Sequence, residues 1–165
     1  MKLQNQLGLA IKLATDTHHG QTDKQGMPYI LHPLHLMHQL MFDTELATIA
    51  VLHDAVEDSE LTFEDLDDMG FSKRVIRALK LLTHDMSDSY EEYIAKMCAI
   101  DLGIDDSKIK YDVIRVKRKD LEHNSDITRL KGITERDINR IEKYHKAFVL
   151  LGKAKHRIEF NGWIK

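Results

Sequence analysis

Apolar residues recur along most of this chain at intervals of three and four, the period of a helix buried along one side. The stretch Leu46 to Asp58, LATIAVLHDAVED, carries the pattern furthest. Leu46, Ile49 and Ala50 form one stripe, which His53 and Glu57 continue, with Asp54 and Asp58 beside it. Val51, Leu52, Ala55 and Val56 make much of the remaining circumference apolar, which predicts a helix inside the protein rather than on it. That helix ends by carrying an imidazole and three carboxylates inward, and unpaired buried charge is very costly. A bound cation would satisfy them, with further ligands from elsewhere in the chain.

The same reading extends to the rest of the sequence. Leu3, Leu7, Ala10, Ile11 and Ala14 give the first helix a buried face, and His18 follows at the same spacing. Residues 20 to 33, GQTDKQGMPYILHP, hold two glycines and both prolines and predict a loop. A short helix follows from Leu34 to Phe42, and Asp43 or Thr44 caps the central one. Thr62 and Asp65 form a capping box, Gly70 ends that helix, and Ser72 opens another with Val75, Ile76, Leu79 and Leu82 apolar. Asp88 or Ser89 caps a helix through Tyr93, Ile94, Met97 and Ile100; residues 101 to 107 read as a turn; a longer helix runs from Lys108 to Asn124. Thr134 and Asp137 open the last helix, which runs to Phe160. No stretch alternates convincingly as a strand, and no repeat or linker interrupts the chain. The expectation is an all-α fold, one compact helical bundle over residues 1 to 165.

Composition narrows the function. The 165 residues suffice for one domain with a sizeable core. A net charge of −3, from 24 basic and 27 acidic residues, gives no global case for nucleic acid or an anionic membrane. Cys98 is the single cysteine, which excludes an internal disulfide and fits a cytoplasmic protein. No apolar run approaches the ~20 residues of a membrane span, and the amphipathic N-terminus does not read as a signal peptide.

A His-Asp pair is weak evidence alone, and the chain has two, His53-Asp54 and His84-Asp85. The second sits past the end of its helix without apolar context. For the first, neighbouring helix positions lie about 100° apart, so one ion can rest between both side chains. His32, beside Pro33, is a third candidate ligand, and Asp120 a fourth, on one helix face with Lys117 and Asn124. Two histidines and two carboxylates suit manganese, iron or zinc better than calcium. The plainer reading makes each a capped or salt-bridged polar residue, and for Asp120 taken alone that reading is favoured. His35 and His38 can extend such a site or lie at the surface, and His18 and His19 flank the loop.

In this order, His, then His-Asp, then Asp, the chain resembles the HD phosphohydrolases. The strings HHGQTDKQGMPYILHP and LHDAVED, and Lys117 to Asn124, are similar to the signatures of the hydrolase domain of RelA/SpoT homologues and of the small alarmone hydrolases. LLTH, SYEEYI, HNSDITRL and RIEKYHKAF extend the likeness over nearly the whole chain. The resemblance implies an all-helical, single HD domain that uses a divalent ion, usually manganese, to remove pyrophosphate from the 3′ position of the nucleotide (p)ppGpp. It implies His32, His53, Asp54 and Asp120 as metal ligands and Glu57 and Asp58 near the attacking water. It also implies Lys24, Asn124 and Tyr144 as substrate-binding residues. With no synthetase domain following, the expected activity is hydrolytic only.

Two departures keep a non-catalytic binding module as the alternative. The third signature, usually Lys-Leu-Ala-Asp, reads Lys117-Arg118-Lys119-Asp120, and Asp23 stands where the alarmone hydrolases have an arginine. Arg118 lies about 200° round the helix from Asp120, on a face that is either exposed or meets a partner. Asp23 removes a phosphate-reading fork.

Overall fold

The structure is a computed structural model that describes residues 3–99 and 104–161. Among these residues every regular element is helical, and one isolated antiparallel bridge joins Thr22 to Pro28. The fold is therefore all-α, as the periodicity predicts. The chain divides into two compact units, residues 1–83 and 84–165. No helix of the described residues is long and apolar enough to cross a membrane.

The first unit holds α1 (Leu3–Thr17), α2 (Leu31–Gln39), α3 (Thr44–Leu52), α4 (Phe63–Asp68) and α5 (Lys73–Leu82). Helix α3 is its centre and packs against α1, α2 and α5. Leu46 through Leu52 are all buried, which matches the helix read as apolar nearly all round. α1 differs in detail. Its buried stripe is Gln6, Ala10, Ala14 and His18, whereas Leu7 and Ile11 are half-buried. Gln6 can take a core position because its Oε1 accepts the Ser72 amide at 3.1 Å.

Asp43 caps α3, its carboxylate accepting the amides of Glu45 at 3.0 Å and Leu46 at 3.1 Å. Arg74, from α5, donates to Asp43 Oδ2 at 2.7 Å and to Glu45 Oε2 at 3.0 Å, tying the start of α3 to its neighbour. Burial alone would raise the Asp43 carboxyl, but the Arg74 guanidinium and the two amides outweigh it and hold the group below its usual range. A depressed folded pKa stabilises fully above the unfolded pKa, and that contribution is lost as pH falls through the folded one. Asp43→Ala should therefore cost about 2 kcal/mol at pH 7, from a lost cap and a lost charge-assisted bond. The gap between parent and variant in urea titrations should narrow below about pH 4.

Two boundaries correct the sequence reading. α3 stops at Leu52, and residues 53–57 continue as turns, with the Ala55 amide reaching Leu52 O at 2.9 Å. α2 begins at Leu31, so His32 and Pro33 belong to a helix rather than a loop. Proline is tolerated there because first-turn amides have no intrahelical acceptor.

The second unit holds α6 (Tyr90–Cys98), α7 (Ile104–Asn124), a 3₁₀ turn (Ile127–Arg129) and α8 (Glu135–Phe160). α6, α7 and α8 pack pairwise. Capping boxes start α6 at Ser89 and α8 at Thr134, as Thr62 does for α4. Ile104 to Ser107 are already helical, against the predicted turn, and Ile100 to Gly103 lie outside the described residues.

Arg118 is neither solvated on a free face nor reserved for an outside partner. Its guanidinium lies 3.7 Å from the centroid of the Phe148 ring and donates to Phe148 O at 2.6 Å. Gly152 makes the room, since a Cβ there would collide with Nη1 of Arg118. Arg118→Ala should cost about 1 kcal/mol. Gly152→Ala should be near neutral in the parent, where displacing Arg118 offsets the better helix former. In the Arg118→Ala background it should stabilise by about 1 kcal/mol, measured as a double-mutant cycle.

Candidate metal centre

The first unit brings three of the expected ligands together. His53 is the C-cap residue of α3, and its Nδ1 lies 2.9 Å from Ala50 O. A carbonyl can only accept, so Nδ1 carries a proton, and Nε2 is the nitrogen left to meet a cation, the arrangement of a metal-binding imidazole. His32, from the first turn of α2, sets its ring centroid 5.2 Å from that of His53. Asp54 Oδ2 lies 3.2 Å from His53 Nε2 and 3.9 Å from His32 Nε2. Ligands held at about 2.0 to 2.2 Å from one ion stand roughly 3 to 4 Å apart, so this donor set fits a first-row divalent cation. Both histidines are buried, and Asp54 is half-buried.

Beyond Asp54 the chain turns, and Glu57 and Asp58 come to the surface. Asp58 Oδ2 lies 3.7 Å from Nδ1 of the buried His18. Partial burial and the nearby Asp54 carboxylate push the Asp58 carboxyl up, against the opposing pull of His18 and His53.

The glycine-rich segment is a tight loop rather than an open one. Asp23 Oδ1 accepts the amides of Gln25 and Met27, each at 2.9 Å, and Gly26 takes φ +82°. Asp23, in place of the arginine, thus shapes the loop whose tip exposes Lys24. Tyr29 closes it, its amide donating to Gln21 O at 2.9 Å. The Tyr29 hydroxyl donates to Asp54 Oδ2 at 2.6 Å. Sequence reasoning missed that contact; the only trace was the tyrosine's place in the string that ends at Pro33.

In the second unit Asp120 is buried on α7. Lys117 Nζ lies 2.9 Å from its Oδ2, and the Asn124 amide donates to its Oδ1, so the three share one face as their spacing predicts. Lys117 also lies 5.3 Å from the centroid of the Tyr93 ring. Tyr144 is half-buried rather than core, its ring 6.3 Å from Tyr90, and Lys143 lies 4.3 Å from the Tyr90 centroid and 5.6 Å from that of Tyr144.

The other histidines behave as the plainer readings require. His35 and His38 are exposed on α2. Asp85, of the second His-Asp pair, is exposed and accepts the amide of Ser87 at 2.9 Å in a local turn.

No family model matches the chain. It is 32% identical over 125 residues to the bifunctional (p)ppGpp synthase/hydrolase SpoT of Escherichia coli, covering 70% of this chain and 17% of SpoT. It is 43% identical over 58 residues to a guanosine-3′,5′-bis(diphosphate) 3′-pyrophosphohydrolase of Vibrio cholerae, covering 33% of this chain and 8% of that protein. With the zebrafish (Danio rerio) 3′-pyrophosphohydrolase MESH1 it shares 36% over 84 residues, covering 47% of this chain and 46% of MESH1. The chain is thus similar to HD-type hydrolases over part of their length. Within that class its relatives are the (p)ppGpp hydrolases of the RelA/SpoT kind, of whose own lengths it matches less than half.

Proposed function

We propose that this chain is a metal-dependent phosphohydrolase that removes pyrophosphate from guanosine 3′,5′-bis(diphosphate) or a closely related nucleotide. His32, His53, Asp54 and Asp120 would hold one divalent cation, manganese by preference, with residues 1 to 165 acting as a single HD domain. What carries the reading is His53, its Nδ1 committed to Ala50 O and its Nε2 set 3.2 Å from Asp54 Oδ2. The names of its relatives supply the substrate class.

When bound, such a cation would lower the pKa of a water it holds towards about 7 and would polarise a phosphoryl oxygen. The chain's own groups do the rest. Asp58, its carboxyl raised by burial and by Asp54, would orient an attacking water and take up its proton, with Glu57 beside it. Lys24 neutralises phosphate charge from the loop tip as a point cation. Asn124 steadies Asp120 and borders the nucleotide. Tyr144 offers a ring face to the base, with Lys143 adding positive charge. Lys24 is the sole basic residue between Gly20 and Ile30, so that loop reads phosphate by charge rather than by a guanidinium fork.

Metal analysis of the purified protein, then pyrophosphate release from a panel of (p)ppGpp and ordinary nucleotides, tests this. The expected result is metal-dependent release from the 3′-diphosphate. Bound metal with no release from any nucleotide would replace it with a non-catalytic binding module.

A further inference from the structure

We propose that Tyr29 is a positioning residue for Asp54, fixing the carboxylate so that Oδ2 faces both imidazoles and thereby setting the protein's affinity for the cation. The proposal rests on the metal-site reading above and deepens it.

The contact is direct. Tyr29 Oη donates at 2.6 Å to the same oxygen that lies 3.2 Å from His53 Nε2 and 3.9 Å from His32 Nε2. That length belongs to a hydrogen bond strengthened by a charged acceptor. A carboxylate turns readily about its last torsion, whose wells are broad. Asp54 follows the end of α3, where no regular element restrains it. The phenol supplies the restraint, and the phenol is itself well held. Its ring lies 4.9 Å from that of His18 and 5.7 Å from that of His32. Its carbonyl accepts the His32 amide at 2.9 Å, so one residue touches a proposed ligand through its side chain and a second through its backbone.

Donation to Oδ2 withdraws some charge from a ligand oxygen, which by itself would weaken a metal bond. Orientation is the larger effect: loss of a hydrogen bond that positions a ligand typically costs about 10- to 100-fold in metal affinity. There is a second consequence. Tyr29 ends the loop that carries Lys24, through its amide to Gln21 O and the bridge of Thr22 to Pro28. The same phenol therefore links the loop that carries Lys24 to Asp54.

Tyr29→Phe keeps the ring and removes the donor. Mn²⁺ titrated calorimetrically into the metal-free proteins should bind the variant about 10- to 100-fold more weakly than the parent, with similar melting temperatures before metal is added. Activity in the variant should recover as Mn²⁺ is raised. An affinity within about threefold of the parent would overturn the proposal. So would a structure of the loaded parent with the Tyr29 hydroxyl turned from Asp54, a measurement independent of how the variant folds. A parent that binds no divalent cation would defeat the metal-site reading itself, a failure visible before any variant is compared.

Discussion

Replacing Asp54 with asparagine is expected to lower pyrophosphate release at least about 1000-fold while leaving the helices intact. The substitution preserves shape, and the amide oxygen can still accept the Tyr29 hydroxyl. What it removes is the charge at the atom 3.2 Å from His53 Nε2 and 3.9 Å from His32 Nε2. Metal-assisted hydrolysis draws several kcal/mol of transition-state stabilisation from the cation, and about 4 kcal/mol corresponds to three powers of ten. Asp54 lies outside α3 and is half-buried, so the core does not depend on it. Initial rates, metal content and circular dichroism on the same preparation check the result. Full metal-dependent activity in the variant would remove Asp54 from the ligand set.

Lys117→Met should produce the largest loss of stability, about 3 to 5 kcal/mol, because it removes the ammonium 2.9 Å from the buried Asp120 carboxylate. For a chain of this size that corresponds to a melting temperature lower by roughly 6 to 20 °C. Burial alone would depress the Lys117 ammonium; Asp120, 2.9 Å away, and the Tyr93 phenol reverse the shift and hold it above its ordinary value. A raised folded pKa contributes fully below the unfolded value near 10.4 and is lost only as pH rises through the folded one. The penalty should therefore stay constant across neutral pH. If Asp120 ligates a cation, saturating Mn²⁺ should return part of the loss, about 2.7 kcal/mol at a hundred times the dissociation constant. Thermal melts with and without Mn²⁺ measure both effects.

Local sequence signals account for the helices and much of their packing. Thr62 with Asp65 and Thr134 with Asp137 announced two helix starts, because a capping box satisfies its own backbone donors within four residues. The buried α3 was legible because its apolar residues run nearly all round. The boundary at Leu52 was not, since Ala55 and Val56 continue an apolar pattern that a turn can bury as well as a helix. Pro33 misled as a breaker, although at the third position of α2 its missing amide costs nothing. The face shared by Lys117, Asp120 and Asn124 followed from spacings of three and four. Tyr29 could not be assigned that way, because its bond to Asp54 spans 25 positions of the chain. Gln6 was hidden for the same reason, its partner Ser72 lying 66 positions away. Arg118 read as an anomaly until Phe148 and Gly152, a full helix later, supplied its setting.

Diffraction from crystals grown with Mn²⁺, recorded for anomalous signal, bears most directly on the claim that four side chains hold one catalytic cation. The account requires a single strong peak ligated by His32, His53, Asp54 and Asp120 at first-row metal–ligand distances, about 2.0 to 2.2 Å. A peak bound without Asp120, or held by other residues, would contradict it.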